Sequence, residues 1–490
     1  MDTSYNAAII RRKDTPLFYA LTLGIIGLAI FGVLHLGADL PAPTGVATVA
    51  KKAISAADTS AMGSMMAAVH ENLESPLSHL FLQLLVIIAI SRVMGKIFSL
   101  MGQPSVVGEM AAGIILGPSL FGFLAPDMFQ FIFPATSLGT LKLLSQIGVC
   151  LFMFTVGMEL NVNHVRSKAH VAVMVSHASI VFPYLLGVIL AYFLFSHLAA
   201  PGATFTAFGL FMGISMSITA FPVLARILQE RGLTKTFLGS TAITCAAVDD
   251  VTAWSLLAFV VAIARATGVI GSTLNLGLVL VFIALMIWIV RPGLVRWMGE
   301  KRFQAEEPSK GTLATIICVV VGAALCTEVI GIHALFGAFL AGAIMPEVHG
   351  FRHKLSVRVE NFSSVLLLPL FFAFTGLRTQ IGLLNDWQGW ALCLLIVLVA
   401  TLGKLGGSAV AARLTGMNWR ESLQLGALMN TRGLMELIAL NIGYDMGILS
   451  PRIFTMLVIM ALVTTMMTGP LLTLFGSKKP SPKILPEPAH

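Results

Sequence analysis

The chain has 490 residues, of which 57% are hydrophobic and only 11% are charged, and its mean hydropathy is +0.90. Because a soluble protein carries about 25% charged residues, this composition excludes an ordinary soluble domain and indicates a polytopic membrane protein. The net charge of +8 does not indicate nucleic-acid binding, since the Lys and Arg residues fall in short loops, where they set the orientation of membrane helices.

Residues 1–76 precede the main apolar region. Residues 1–16 are polar and end in a basic cluster, and residues 17–36 are apolar. This apolar run is long for the core of a secretory signal, so it favours a retained membrane helix over a cleaved signal. The Pro/Ala/Ser-rich composition of residues 37–75 predicts a flexible external loop.

From residue 77 onward, apolar runs of helix length alternate with short polar loops, and we assign 77–476 to one membrane domain. A helix needs about 20 apolar residues to cross a membrane. The sequence therefore predicts an all-α polytopic membrane protein with about 13–14 transmembrane helices. After the segment at 17–36, the predicted spans are 77–99, 105–122, 138–159, 169–195, 205–228, 237–265, 273–290, 311–327, 333–346, 362–377, 390–411, 421–443 and 452–475.

Lys and Arg residues are concentrated in alternate loops. The loops near 123–137, 196–204, 266–272 and 328–332 are almost free of them. The basic loops lie at 164–168, 231–235, 291–310, 352–358, 413–420 and 478–483. By the positive-inside rule the basic loops face the cytoplasm, which predicts a multi-pass protein of the cell membrane with both termini in the cytoplasm. Residues 477–490 are predicted to form a short cytoplasmic tail, which is not expected to hold a regulatory domain.

Two of the predicted spans contain residues that weaken a helix. The span at 205–228 contains Gly213-Ile-Ser-Met-Ser-Ile-Thr-Ala-Phe-Pro222, and the span at 421–443 contains Asn430-Thr-Arg-Gly433. Gly, Pro, Ser and Thr are tolerated at membrane depth where the freed backbone groups find partners or line a cavity. Both spans are therefore predicted to be broken helices.

Each damaged span is the fourth of a block of five spans, 105–265 and 333–475. Because five is an odd number, the second block enters the membrane from the opposite side. Interrupted helices at matching positions of two inverted halves are a pointer to the binding site of a transporter. The sequence thus predicts two inverted five-helix repeats whose broken helices cross near the midplane.

Two carboxylates, Asp249 and Asp250, lie side by side in the apolar run 237–264. A single acidic residue at the middle of a membrane helix costs about 2.5–3.5 kcal/mol on insertion scales, and a second like charge adds repulsion. A bound cation, a bound proton or a buried base must offset this cost. On a helix the two side chains point about 100° apart, so they have different neighbours. The alternative interpretation is a structural network of ion pairs.

Lys404 lies in Thr401-Leu-Gly-Lys-Leu-Gly-Gly407 and is the most deeply placed base in the chain. Its ammonium could extend to the nearer membrane interface. Alternatively it pairs with Asp249 and leaves Asp250 facing a cavity, and a cation that displaces Lys404 would then be exchanged for a proton.

Arg432 and Glu436 are four residues apart, so they share one face of a helix. They form either an ion pair that only holds the broken helix or a pair that compensates charge at the site. Oxygen ligands for an ion, or partners for freed backbone groups, are predicted at the two breaks: Ser217, Thr219, Asn430 and Thr431.

Several motifs, in this order along the chain, resemble the monovalent cation:proton antiporter-2 family. The resemblance covers about 77–475 and is specific because the motifs occur together. They are Val107-Gly-Glu-Met-Ala-Ala-Gly-Ile-Ile-Leu-Gly-Pro-Ser119, Phe154-Thr-Val-Gly-Met-Glu-Leu160, Ser217-Ile-Thr-Ala-Phe-Pro-Val-Leu-Ala-Arg226, Ala246-Ala-Val-Asp-Asp-Val-Thr-Ala-Trp254 and Asn430-Thr-Arg-Gly-Leu-Met-Glu-Leu-Ile438.

The resemblance implies a core domain that slides against a dimerisation domain, and hence a homodimer. It implies that Asp250 is the main carboxylate for the cation and the proton, with Asp249 assisting and Lys404 as the partner of Asp249. It places the crossing of the broken helices at Thr219 and near Arg432. The double Asp resembles the electrogenic type, which moves more than one proton per cation.

We therefore predict a secondary active transporter that exchanges Na⁺ or K⁺ for protons by alternating access, with the transported ions bound at Asp249 and Asp250. A passive cation channel or a sensor is the alternative. An intramembrane aspartyl protease is disfavoured, because two carboxylates that share a proton must face each other. No enzyme and no cofactor are predicted, and the sequence lacks the phosphate-binding pattern GxxxxGK[ST]. The expected partners are monovalent cations, protons, the lipid bilayer and a second copy, with no nucleic acid.

Overall fold

The computed structural model describes residues 28, 71–73, 75–159, 169–234, 236–265, 269–304 and 308–476. The predicted tail at 477–490, and nearly all of the predicted helix at 17–36 and of the loop at 37–75, lie outside these residues. Within them the backbone is helical, apart from loops and an isolated β-bridge between Ala199 and Leu449. Helices are expected here, because a bilayer offers no water to satisfy backbone N–H and C=O groups.

The first half of the described chain forms seven helices that we label, with short helices at Phe121–Leu124 and Pro126–Ile132 between the second and third. They are α1 (Pro76–Leu100), α2 (Ser105–Leu116), α3 (Leu138–Glu159), α4 (Ala169–Leu198), α5 (Phe205–Ser217), α6 (Phe221–Glu230) and α7 (Phe237–Arg265). Polar side chains cap helix starts: Ser75 accepts from the Ser78 N–H, and Thr204 accepts from the Ala207 N–H.

The second half continues with eleven labelled helices, interrupted by π-helical turns at Met286–Val290, Ser363–Leu367 and Leu402–Gly406 and by a 3₁₀ turn at Ile381–Leu384. They are α8 (Val269–Leu285), α9 (Arg291–Gln304), α10 (Lys310–Ile330), α11 (Ala334–Ala343), α12 (Phe351–Phe362), α13 (Leu368–Arg378), α14 (Trp387–Thr401), α15 (Gly407–Leu414), α16 (Trp419–Met429), α17 (Leu434–Asp445) and α18 (Pro451–Phe475).

Within the described part of the chain, ten helices are long and apolar enough to cross a membrane. Two shorter apolar helices, Ala334–Ala343 and Val365–Arg378, and the broken pair α16–α17 account for the remaining predicted spans after residue 77. Large apolar side chains such as Leu85, Val329 and Leu394 are exposed on the outside of the helices, where a lipid environment accommodates them. The prediction of an all-α multi-pass membrane protein is confirmed.

The helices pack into two bundles. The flanking bundle contains α1–α3 and α10–α13, and the crossing bundle contains α4–α7 and α14–α18. Contacts within each bundle are extensive, whereas those between them are few and include α2 with α18 and α13 with α17. Each predicted repeat contributes its first two spans to the flanking bundle and its last three to the crossing bundle, while its inverted symmetry stays a prediction.

Glycines allow helices of the flanking bundle to approach closely. A Cβ atom at Gly157 of α3 would lie 2.1 Å from the Phe339 carbonyl oxygen of α11, and one at Gly342 would lie 2.1 Å from the Phe154 carbonyl oxygen. Any larger residue would push α3 and α11 apart. Such small-residue contacts are the usual means by which membrane helices pack.

Both spans with helix-weakening residues are broken in the structure. Helix α5 ends at Ser217 and α6 begins at Phe221. Helix α16 ends at Met429 and α17 begins at Leu434. The two breaks touch, because the Ala220 N–H donates a 2.9 Å hydrogen bond to the Thr431 carbonyl oxygen. The sequence signals for these breaks were local, and the helix boundaries follow them.

Candidate functional site

Helix α7 brings Asp249 and Asp250 into the interior of the crossing bundle. Their exposed fractions are 0% and 1%. Small side chains one and two turns earlier, Ala246 and Ala242, are also fully buried and let neighbouring helices approach α7. Ionised carboxylates in such a place must be neutralised or hydrogen-bonded, because burying an unpaired charge is costly.

The Asp249 carboxylate accepts hydrogen bonds from four side chains. Ser176 donates to Oδ1 at 2.6 Å, and Ser179 lies 2.9 Å from both oxygens. Thr219 donates to Oδ2 at 2.5 Å, and the Lys404 ammonium lies 3.0 Å from the same atom. Both oxygens are therefore engaged: Oδ1 by two serine hydroxyls of α4, and Oδ2 by Ser179, by Thr219 at the first helix break and by the Lys404 ammonium.

Lys404 is placed beside Asp249 by the π-helical turn at Leu402–Gly406. Its side chain is fully buried, so it does not extend to a membrane interface. Besides Asp249, its Nζ contacts the Ser179 hydroxyl at 3.5 Å and donates a short hydrogen bond to the Ser217 carbonyl oxygen. A π-turn inserts one residue into the helical spiral and is frequent at functional sites.

Arg432 and Glu436 form a second buried ion pair, with Nη1 3.3 Å from Oε2 and both side chains fully buried. The same guanidinium donates to the carbonyl oxygens of Ser215 at 2.6 Å and Met216 at 2.7 Å. These are carbonyls of the last turn of α5, where a helix has unsatisfied acceptors and partial negative charge. Arg432 therefore caps the broken helix as well as pairing with Glu436.

Lys404 extends this cap, because it binds the next carbonyl, that of Ser217. The Ser217 hydroxyl itself donates to the Gly213 carbonyl at 2.7 Å, so the structure directs the carbonyl of Ser217, rather than its hydroxyl, toward the site. Two buried cations thus complement the negative end of α5, which explains why the helix can end inside the protein.

The second break is satisfied mainly by threonines of α18. The Arg432 N–H donates to the Thr465 hydroxyl at 3.1 Å, which in turn donates to the Arg432 carbonyl at 2.8 Å. The Thr431 hydroxyl lies 3.3 Å from that of Thr468. Asn430 differs, because it is fully buried and neither atom of its amide has a hydrogen-bond partner among the described residues.

The structure therefore gathers Asp249, Lys404, Thr219 and the Ser217 carbonyl at the first break. Arg432 caps the same end of α5, and Glu436 is paired with Arg432. Asp250 follows Asp249 directly in sequence, but its side chain points to a different face of α7.

Two partners of Asp249 were not predicted from the sequence, Ser176 and Ser179. They are three residues apart and so share a face of α4. This spacing is the signal that could have found them, although serines are common in membrane helices for other reasons.

The sequence model of a family described as sodium/hydrogen exchanger, transmembrane, matches residues 82–478. Among solved structures, the sodium proton antiporter MjNhaP1 from Methanocaldococcus jannaschii at pH 8 is similar, with a TM-score of 0.57 and 14% sequence identity. The match covers 80% of this chain and 96% of that one, which supports a shared fold.

Three curated relatives extend the comparison. The chain is 45% identical over 411 residues to the Na(+)/H(+) antiporter NhaS4 of Synechocystis sp., covering 83% of this chain and 97% of the relative. It is 38% identical to Cation/H(+) antiporter 17 of Arabidopsis thaliana, covering 81% of this chain and 49% of the relative. It is 33% identical to K(+)/H(+) antiporter 1 of Saccharomyces cerevisiae, covering 82% and 47%. The chain thus spans about half the length of the plant and yeast relatives.

Proposed function

Because the chain belongs to the transmembrane sodium/hydrogen exchanger family and is a secondary transporter rather than an enzyme, we propose that it exchanges Na⁺ or K⁺ for protons and that Asp250 binds each ion in turn. The observation that carries this proposal is a pair of adjacent buried carboxylates, one of which contacts the crossing of two broken helices. Helix breaks of this kind expose backbone dipoles that can face a transported ion.

The two carboxylates are proposed to have different roles. Four side-chain donors surround Asp249, so a cation can reach it only by displacing Lys404 or a hydroxyl. Asp250 is proposed as the carboxylate at which a proton and a cation compete. A charged carboxylate held away from water is costly, so Asp250 gains from binding either ion, and because the site holds one ion at a time, each ion expels the other.

The remaining ligands of the cation are proposed to be neutral oxygens. Among the described residues, no cluster of three or more His, Cys, Asp or Glu could hold a metal ion. The Thr219 hydroxyl and the Asn430 amide oxygen, which lie at the two breaks, are the candidates that complete a set with Asp250. A cation bound to Asn430 would satisfy its buried amide oxygen, and a buried acceptor costs about 1–3 kcal/mol when left unpaired.

Asn430→Ala is expected to raise the KM for the cation about tenfold while changing the maximal rate less, because one neutral ligand is lost and the exchanging carboxylate remains. The matched control is Ser422→Ala, since Ser422 is also fully buried and its hydroxyl also has no partner among the described residues, but it lies two turns before the break. Initial rates in proteoliposomes over a range of cation concentrations measure both. An unchanged KM in Asn430→Ala would remove this residue from the ligand set.

Alternating access is proposed to occur by movement of the crossing bundle against the flanking bundle. The sparse contacts between the bundles support this movement, because little packing is lost when they shift.

We further propose that the protein lies in the cell membrane as a homodimer formed through the flanking bundle. The basic loops near Arg352, Lys354 and Arg413 are proposed to face the cytoplasm.

The proposed exchange can be tested with purified protein in liposomes that contain a pH-sensitive dye. After an acid load, Na⁺, K⁺ or Li⁺ is added separately outside. The proposal predicts alkalinisation of the lumen that depends on the added cation and persists when the membrane voltage is clamped. Cation entry without proton movement would instead indicate a passive channel.

A further inference from the structure

A cluster of ion pairs joins the two bundles on the face at which α3 begins and α17 ends. Asp445 is the last residue of α17, in the crossing bundle. Its Oδ1 accepts from Arg378 Nη2 at 2.7 Å, and its Oδ2 lies 3.1 Å from Lys142 Nζ. Lys142 belongs to α3 and Arg378 ends α13, both in the flanking bundle. We propose that Asp445 is a latch residue that holds this face closed and must be released whenever the ion site opens there.

Arg378 is fixed by groups from both bundles. Its Nη1 donates to Asn441 Oδ1 at 2.9 Å, and its guanidinium carbon lies 4.2 Å from the ring centroid of Phe374 and 5.1 Å from that of Tyr444. Asn441 and Tyr444 belong to α17, whereas Phe374 belongs to α13. A planar guanidinium suits this combination of a carboxylate, an amide and two rings. The contact is therefore built to join the bundles, which a lone surface ion pair would not achieve.

A cavity lies directly inside this cluster. The space between its atoms is about 360 Å³ when the part open to solvent is counted, and its polar wall includes Ser145, Asn441 and Asp445. Its apolar wall includes Val149 and Ile438. Because the walls come from α3 of the flanking bundle and α17 of the crossing bundle, the cavity lies at the boundary along which the bundles are proposed to move. We read it as the inner end of a vestibule whose mouth is closed by the latch.

The latch rests on the proposed alternating-access exchange. It adds the requirement that the ion pairs of Asp445 break in the state that is open on this face. When the bundles separate on this face, Asp445 must lose Lys142 and Arg378, because these bases stay with the flanking bundle. Removing the Asp445 charge should therefore shift the population toward the state open on this face. It should do so without altering ion binding, since Asp445 lies more than two helical turns from Glu436 along α17, and Arg432 lies before the start of that helix.

A second ion pair on the same face supplies a matched control. Asp386 Oδ1 lies 2.5 Å from Arg452 Nη2, but these residues start α14 and α18, both in the crossing bundle. The hydrogen bond from Arg452 lowers the pKa of Asp386, so this carboxylate is charged at neutral pH. Asp386→Asn thus removes a comparable charge pair that does not join the bundles.

The test measures access to the cavity directly. In a variant whose five native cysteines are replaced by Ser, Ser145→Cys places a thiol on the cavity wall, where the native side chain is 1% exposed. Labelling by a membrane-impermeant maleimide is then followed in Asp445→Asn, Lys142→Gln and Asp386→Asn. The proposal predicts that Asp445→Asn is labelled about five times faster. This is the change in the open population expected when an exposed network of ion pairs is lost. Lys142→Gln should give an intermediate rate, and Asp386→Asn no change.

Equal labelling rates in all variants would overturn the latch, as would an equal rise in Asp386→Asn. Thermal unfolding of each variant shows whether Asp445→Asn is folded, and Lys142→Gln keeps the test decisive if it is not. Because labelling requires no ion gradient, a failed exchange assay with a raised labelling rate would reject the proposed ion exchange alone. Normal exchange with unchanged labelling would reject the latch alone.

Discussion

Replacing Asp250 with Asn is expected to abolish cation-dependent proton movement, to the level of liposomes without protein. The amide has nearly the same size, so the packing around α7 should persist. It cannot take up a proton and release it again, and it carries no charge to hold a monovalent cation. The competition on which exchange depends would thus be lost. The measurement is the dye-loaded liposome assay, with Na⁺, K⁺ and Li⁺ tested separately.

The control for Asp250→Asn is the same chemical change at Asp386, an exposed carboxylate that begins α14 and accepts a hydrogen bond from the Gly389 N–H. Asn is also a good helix cap, so Asp386→Asn should transport normally. If Asp250→Asn retained normal exchange in a folded protein, Asp250 would not be the exchanging carboxylate.

Lys404→Ala is expected to destabilise the protein by about 3–5 kcal/mol, because removing one member of a buried ion pair leaves the other charge unpaired. The substitution removes the three contacts of the Lys404 ammonium, which are with Asp249, Ser179 and the Ser217 carbonyl. The end of α5 then keeps only Arg432 as a cationic cap. Thermal unfolding in detergent, compared with the unsubstituted protein, measures the effect.

The double variant Asp249→Asn/Lys404→Ala separates the pair from general damage. It removes both charges together, so its loss of stability should be smaller than the sum of the two single losses. Additive losses would show that the 3.0 Å contact contributes no coupling.

In transport, Lys404→Ala is expected to move less net charge per cation, which is measured as the current across a supported membrane. An unchanged charge per turnover would contradict a coupled role for Lys404.

The spans and the helix breaks could be predicted from the sequence because their causes are local. Long apolar runs dictate membrane helices, and the Gly-to-Pro stretch around Ile218 and the Asn-to-Gly stretch after Met429 weaken helices at the point where they occur. The contact of Lys404 with Asp249 spans 155 residues, yet it could be anticipated. A deeply buried acid requires a partner, and the apolar spans offer few bases.

The rest of the site could not be predicted because it depends on how each helix is rotated about its axis. Ser176 and Ser179 contact Asp249 only because that face of α4 turns toward α7. Arg432 was expected to pair with Glu436 from their spacing, but its hydrogen bonds to the carbonyls at the end of α5 require the two breaks to cross. Asp445 was not singled out, since a charged residue at a helix end is ordinary until its partners are known.

If a proton and a metal ion compete for one carboxylate, the KM for the cation must depend on pH, and this dependence is the most direct test of the exchange mechanism. Initial rates are measured in proteoliposomes at several pH values on the cation side. If one proton competes with the cation, the KM should rise about tenfold for each pH unit below the pKa of the carboxylate that binds both ions. The rate at saturating cation should stay nearly constant. A KM that is independent of pH, with only the maximal rate changing, would contradict competition and with it the proposed exchange mechanism.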